Sequence, residues 1–213
     1  MERTITIKGE GKVNAKPDLI ILSINLESLD MDYQVLMKTA NFQIEQLREA
    51  FAAIGFKKEE LKTRDFNVKQ KHDYDRNKEI HVFKGYACEH SLLLKFDFDK
   101  KVLGKVITAL AESGTNPRFV VQYGVKDEEK VKEDLLADAV VNAKRKAEIL
   151  TTAAKVSLGR LISINYFWGE IRLYSSTNHY FDMSPICLME NTIDIEPNDV
   201  NIEDSVTMVW EIT

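Results

Sequence analysis

A mixed fold of long helices and long strands is what this sequence predicts, in the order β-β-α-β-β-α-β-α-β-β. Three observations predict it. Nine glycines and four prolines among 213 residues are few, since the two together average about 12% of a protein. Tight turns usually need one or the other, so a fold of many short strands is disfavoured. The apolar residues recur with period 2 in some stretches and at spacings of three and four in others, which separates strands from helices. The chain is 44% hydrophobic and 30% charged, and at this length about 70% of its surface can be buried.

The elements follow in order. Ile5, Ile7 and Val13 alternate with Thr6, Lys8 and Lys12, a half-buried strand. Gly9 and Gly11 fall in phase with the apolar positions and mark a bend or a close backbone approach. After the turn at Pro17-Asp18, Ile20, Leu22, Ile24 and Leu26 form one face of a second strand, with Ile21, Ser23, Asn25 and Glu27 opposite. Leu36, Ala40, Ile44, Leu47, Phe51 and Ile54 make the stripe of a helix over about 31–54, stopped at Gly55. Strands over about 62–74 and 80–98 flank the polar link Asp73–Glu79. Asp99 caps a helix over about 100–113, and Asn116-Pro117 turns the chain into a strand through Phe119, Val121, Tyr123 and Val125.

Asp127, Glu128 and Glu129 open the longest helix, which runs to about 156. Its stripe reads Leu136, Val140, Ala143, Ala147, Leu150 and Ala154. Strands through Ile162–Trp168 and Val206–Ile212 complete the order. Between them, about 170–204 shows no regular pattern and is too long for an ordinary connection. The reading is one domain over 1–213 with a long arm or loop there.

Charge and composition exclude several classes. With 29 Lys+Arg against 34 Asp+Glu the net charge is −5, which does not suit a nucleic-acid binder. The basic hairpin tip (Lys69, Lys71, Arg76, Lys78, with Tyr74 and Phe83) is interleaved with Asp73, Asp75 and Glu79. No apolar run reaches the ~18–20 residues of a membrane span. Met1–Ile7 lacks the apolar core of a signal peptide. The default expectation is therefore cytoplasmic, and a periplasmic or envelope location follows only if a leader precedes the sequence.

Gly9-Glu10-Gly11 lacks a third glycine, since position 14 is Asn14, and a strand follows where a phosphate site needs a helix. Cys88 and His90 share one face of a strand, as a nucleophile and its base would, but their neighbours Tyr86, Leu92 and Leu94 read as core. Cys88 and Cys187 form no disulfide scaffold and have no metal-site spacing. The four histidines show no zinc-site spacing either. From Asp182 to Asp204 there are seven acidic residues and no Lys or Arg. Asp194, Glu196 and Asn198 alternate like early calcium-loop ligands, but Asp199 and Ser205 stand where that loop needs Gly and Glu. The residues thus nominate no catalytic, cofactor or metal site.

An ordered set of short motifs resembles the SIMPL-domain family, whose bacterial and animal members have poorly defined functions. The set comprises Gly9-Glu10-Gly11-Lys12-Val13 with Pro17-Asp18, Gly85-Tyr86, Leu103-Gly104 and Ser113-Gly114. It continues through Ala139, Ala143-Lys144-Arg145-Lys146-Ala147-Glu148, Leu150 and Leu158-Gly159 to Ile195-Glu196-Pro197. Asn198 stands where the family commonly has Gly, and Asn also tolerates a left-handed turn. The resemblance implies an α+β fold, an antiparallel (mixed) sheet with three helices packed on it, and a tendency to self-assemble. It implies no catalytic residues. Many bacterial members look exported, and animal members are described as partners of a signalling kinase.

Two functional expectations result. The first is a non-enzymatic interaction protein that pairs with itself, or with another protein, through strand edges and the 170–204 arm. Tyr174, Tyr180, Phe181, Met183, Ile186, Leu188 and Met189 are its candidate interface, because such apolar content is unusual in a free loop. The second is a small-molecule binder or enzyme with a site between that arm and the sheet. Its candidate lining is Tyr166, Trp168, His179 and Tyr180.

Overall fold

A computed structural model of the chain describes residues 3–75, 80–167, 173–182 and 196–213. Three helices, a single 3-10 turn at Lys58–Glu60 and eight strands lie among the described residues. The strands are β1 (Thr4–Ala15), β2 (Leu19–Asp30), β3 (Lys62–Asp75), β4 (Ile80–Asp97), β5 (Arg118–Gly124), β6 (Leu158–Asn165), β7 (Tyr174–Asp182) and β8 (Val200–Ile212). The helices are α1 (Tyr33–Ala53), α2 (Lys100–Glu112) and α3 (Glu128–Ala153). The protein is α+β, and its strands divide between two sheets of order β1-β8-β6 and β3-β4-β2-β5-β7. The chain forms two compact units, 1–17 with 124–176 and 197–213, and 18–123 with 177–196.

In the second unit, local chemistry starts each helix. Asp32 accepts hydrogen bonds from the backbone N–H of Gln34 (2.6 Å) and Val35 (3.1 Å) ahead of α1. Asp99 does the same for Lys101 (2.7 Å) and Val102 (3.2 Å) ahead of α2. Each cap satisfies donors that the first helical turn would otherwise leave open. Antiparallel pairing of β2 with β4 sets Leu22 opposite Leu94 and Ile24 opposite Leu92. Those residues, with Phe119, Val121 and Tyr123 of β5, form the buried face under Leu47 and Phe51 of α1 and Val106 and Leu110 of α2. The same register sets Asn25 opposite Ser91 on the other face.

In the first unit, β8 pairs antiparallel with β1 and with β6, and α3 lies over β1 and β8 but barely reaches β6. The stripe it buries is Leu135, Ala139, Ala143, Ala147 and Thr151. It shares Ala143 and Ala147 with the expected stripe but has Leu135, Ala139 and Thr151 in place of the expected Leu136, Val140 and Leu150, so Val140 and Leu150 are exposed. The cause is the backbone of β1. A Cβ on Gly9 would sit 2.1 Å from the Ala139 carbonyl oxygen, and one on Gly11 would sit 2.1 Å from the Leu135 carbonyl oxygen. Helix and strand are in backbone contact, and only the alanine stripe permits that.

Two further departures concern 170–204. β7 occupies Tyr174–Asp182 and β8 begins at Val200, where the pattern shows no strand. The β7 sequence, Tyr-Ser-Ser-Thr-Asn-His-Tyr-Phe-Asp, lacks apolar alternation because it is an end strand with one strand neighbour. In β8 the alternation of Val200, Ile202, Val206 and Met208 is interrupted by Asp204. The Asp204 carboxylate accepts the Tyr166 hydroxyl at 2.6 Å.

Candidate functional site

The helices cover one face of the five-stranded sheet, and the other face holds a trough of mixed lining, in which Ile24, Leu92 and Phe119 join the polar side chains. Ser23 and Asn25 of β2 and Ser91 of β4 form its low floor, with Val120 of β5 beside them. Arg64 and Asp65 of β3 make one wall, and Arg118 of β5 with Tyr180 of β7 make the other, around about 570 Å³. The floor is knitted together. Ser91 Oγ donates to Asn25 Oδ1 (3.1 Å), and Asn25 Nδ2 donates to Glu27 Oε1 (3.4 Å). Arg118 Nη2 donates to Glu27 Oε2 (3.0 Å). Arg64 is the extra residue of a bulge between Thr63 and Asp65, a device that re-aims side chains beside functional sites. A second concavity of about 450 Å³ lies along the neighbouring parts of β2, β3 and β4, between Leu29, Lys71 and Glu89.

Each described pocket residue expected from sequence has its place within its own unit. Tyr166 belongs to the three-stranded unit and packs with its α3 core. Its phenol is pushed up to about 12, first because its hydrogen bond to Asp204 holds the proton, then by burial. His179 belongs to the five-stranded unit, where its ring meets Tyr123 edge-on with centroids 5.9 Å apart. Its Nδ1 is 3.4 Å from the Tyr123 hydroxyl. Tyr180 lines the trough, and it is 78% exposed. Trp168 lies outside the described residues.

Of the candidate interface, Tyr174 and Tyr180 are exposed on β7. Met183, Ile186, Leu188 and Met189, and the side chain of Phe181, lie outside the described residues, as do Cys187, Asp194 and the hairpin link at 76–79. Glu196 stands 3.4 Å from Lys100 in an ion pair.

Cys88 and His90 are both buried beneath α1. Cys88 packs against Leu36 and Ala40, and burial pushes its thiol up. His90 Nε2 is 3.0 Å from Thr63 Oγ1. Burial, then the nearby Arg48 charge, holds its imidazole below the usual range. A thiolate–imidazolium pair needs the opposite shifts, so these residues are core.

The two end strands of the three-stranded sheet differ. The outer edge of β1 is occupied by α3. Asn142 Oδ1 accepts the Glu10 N–H (3.1 Å), Asp138 Oδ2 accepts the Lys12 N–H (2.9 Å), and Lys146 Nζ donates to the Lys8 carbonyl (3.2 Å). On β6, Leu161, Ile162 and Ile164 are 43%, 46% and 52% exposed. Nothing among the described residues occupies its outer edge in that way. The spacing of Asp138, Asn142 and Lys146 at i, i+4, i+8 is the sequence signal for the first edge. The bulges of β6 between Leu158, Leu161 and Ser163 hide the second.

These are features of an α+β protein with two helix-covered sheets. The chain matches the SIMPL family model, a protein of unknown function (DUF541), over residues 5–210, and it belongs to that family. It is 24% identical over 211 residues to the 26 kDa periplasmic immunogenic protein of Brucella melitensis, covering 98% of this chain and 84% of that protein. It is 21% identical over 215 residues to the uncharacterized protein YggE of Escherichia coli K12, covering 98% and 82%. No described helix is long and apolar enough to cross a membrane.

Proposed function

We propose that this chain is a non-enzymatic interaction protein that associates with itself through strand edges and acts as a single functional domain. The observation that carries the reading is the contrast between the edges of β1 and β6. An open strand edge is a template for another strand, and proteins usually block it with charge, Pro or a covering element. β1 is blocked in this manner. β6 presents apolar side chains on an uncovered edge, and its one cation, Arg160, is engaged with Glu211 at 2.7 Å. Pairing of β6 with a strand of a second copy supplies the missing hydrogen bonds and covers Leu161, Ile162 and Ile164. β7, with Tyr174 and Tyr180, is the second candidate edge. The periplasmic name of the Brucella relative supports an envelope compartment over the cytoplasmic default. Light scattering across a concentration series should give a mass that is a multiple of 24.4 kDa. A 24.4 kDa monomer at every concentration contradicts the reading.

A further inference from the structure

The open face of the five-stranded sheet is more organised than a solvated face requires. Polar residues on an uncovered antiparallel face are ordinary, but four features here converge on one place. The floor residues Ser23, Asn25 and Ser91 are small, while the walls carry arginine and tyrosine, so the centre is hollow. The floor amide is fixed by the chain of hydrogen bonds from Ser91 through Asn25 and Glu27 to Arg118. Arg64 and Asp65, aimed by the bulge, have no side-chain partner among the described residues. Tyr180 places a phenol ring, 78% exposed, at the opposite wall.

The chemistry of the trough selects its ligand. Two guanidiniums, from Arg64 and Arg118, are matched by two carboxylates, from Asp65 and Glu27. The balance does not suit a nucleic acid or another polyanion, which needs an excess of positive charge. An extended peptide is captured by the backbone groups of a strand edge, and the face of a sheet presents side chains instead. What the trough does offer is planar donors and acceptors around a floor of hydroxyl, amide and aliphatic groups, with the exposed ring of Tyr180 at one wall. Planar carboxylates, amides and guanidiniums bond adjacent hydroxyls in pairs, and an aromatic ring lies against the C–H face of a sugar ring. The lining residues come from all five strands, from β3 to β7. That is four interstrand steps, roughly 19 Å, the reach of several linked rings rather than one.

We propose that this trough is a binding site for a neutral oligosaccharide lying across the strands, held by Arg64, Asn25 and Arg118 and stacked on Tyr180. Ligation is non-covalent and needs no metal.

The test is an amide NMR titration of the full chain with maltotetraose, cellotetraose and chitotetraose, each to about 10 mM, where binding at the millimolar level of about −4 kcal/mol would saturate. At least one should give saturable shifts centred on Ser23, Asn25, Arg64, Ser91 and Arg118. Arg118→Ala and Tyr180→Ala should each weaken that saccharide about tenfold, the loss expected for one charged hydrogen bond or one stacked ring. Tyr180 is exposed, so its variant keeps the fold, and unchanged amide shifts away from the trough verify this for both. A heparin hexasaccharide and an extended decapeptide are titrated in parallel. Absence of shifts with all three neutral tetrasaccharides overturns the proposal. So do shifts centred elsewhere, binding by the polyanion or the peptide alone, or variants that bind as tightly as the parent.

Discussion

The two units bury their helices by opposite means. In the five-stranded unit, large side chains such as Leu47, Phe51, Phe119 and Tyr123 separate helix from sheet. In the three-stranded unit, Gly9 and Gly11 face Ala139 and Ala143, and the backbones touch. The difference has a consequence for the surface. Close approach brings Asp138 and Asn142 within reach of the β1 edge, and it centres α3 over β1 and β8 so that α3 barely reaches β6. The small residues let α3 close one edge, and no described residue closes the other in that way.

The largest effects break this contrast directly, with opposite substitutions in the two units. Gly11→Val must push α3 away from β1, since even a Cβ would meet the Leu135 carbonyl. Overpacking of this kind costs about 3 kcal/mol or more, about 6–12 °C in a chain of this size. In the other unit, Leu47→Ala leaves a cavity instead and costs about 2–5 kcal/mol. Thermal melts of both variants check the pair. A Gly11→Val protein that melts with the parent would contradict backbone contact.

A smaller effect isolates edge protection from packing. Asp138→Ala with Asn142→Ala removes two acceptors from the β1 edge and should cost about 1 kcal/mol for each hydrogen bond. The Glu10 and Lys12 amides should then exchange with solvent faster than in the parent, read by hydrogen exchange. Unchanged protection would mean that α3 does not guard that edge.

The smallest effect sharpens the other side of the comparison. His90, beneath α1, has its imidazole held below the usual range, first by burial and then by Arg48. Arg48 is itself paired with Glu45 at 2.7 Å, and Thr63 and Phe66 of β3 contact the His90 ring. The folded value lies below the unfolded value of about 6.5, so the unfolded state binds the proton more readily. Stability is therefore full above about pH 6.5 and falls as pH drops toward the folded value. Denaturant melts between pH 7 and 5 should show this slope, and His90→Gln should flatten it. An unaltered slope would remove His90 from the account.

Much of the fold is legible because long elements announce themselves. The start of α1, the Asp99 cap of α2, the start of α3 at Asp127 and the β3–β4 pair stand at or within a residue or two of the expected places. The α3 stripe is misread for a particular reason. Leu135-Leu136 and Ala139-Val140 are adjacent apolar pairs, so periodicity allows two stripes. The choice is made by glycines more than a hundred residues away in β1. β7 is missed because an end strand needs no apolar alternation. The trough is invisible in sequence because Asn25, Arg64, Ser91, Arg118 and Tyr180 belong to five different strands and meet only through register. Tyr180 stands out in the sequence only as part of the apolar content of the 170–204 arm. Arg64 and Arg118 look like any exposed arginine until the bulge and the strand order place them.

The most direct test of edge pairing is the mass in solution of an Ile162→Lys, Ile164→Lys variant, measured by light scattering beside the parent and a Tyr174→Glu variant. Surface changes at these exposed sites should leave stability within about 0.5 kcal/mol of the parent. The account predicts that the lysine variant is smaller than the parent assembly and melts with it. A lysine variant that keeps the parent mass, while Tyr174→Glu loses it, would move the pairing edge from β6 to β7 and contradict the account.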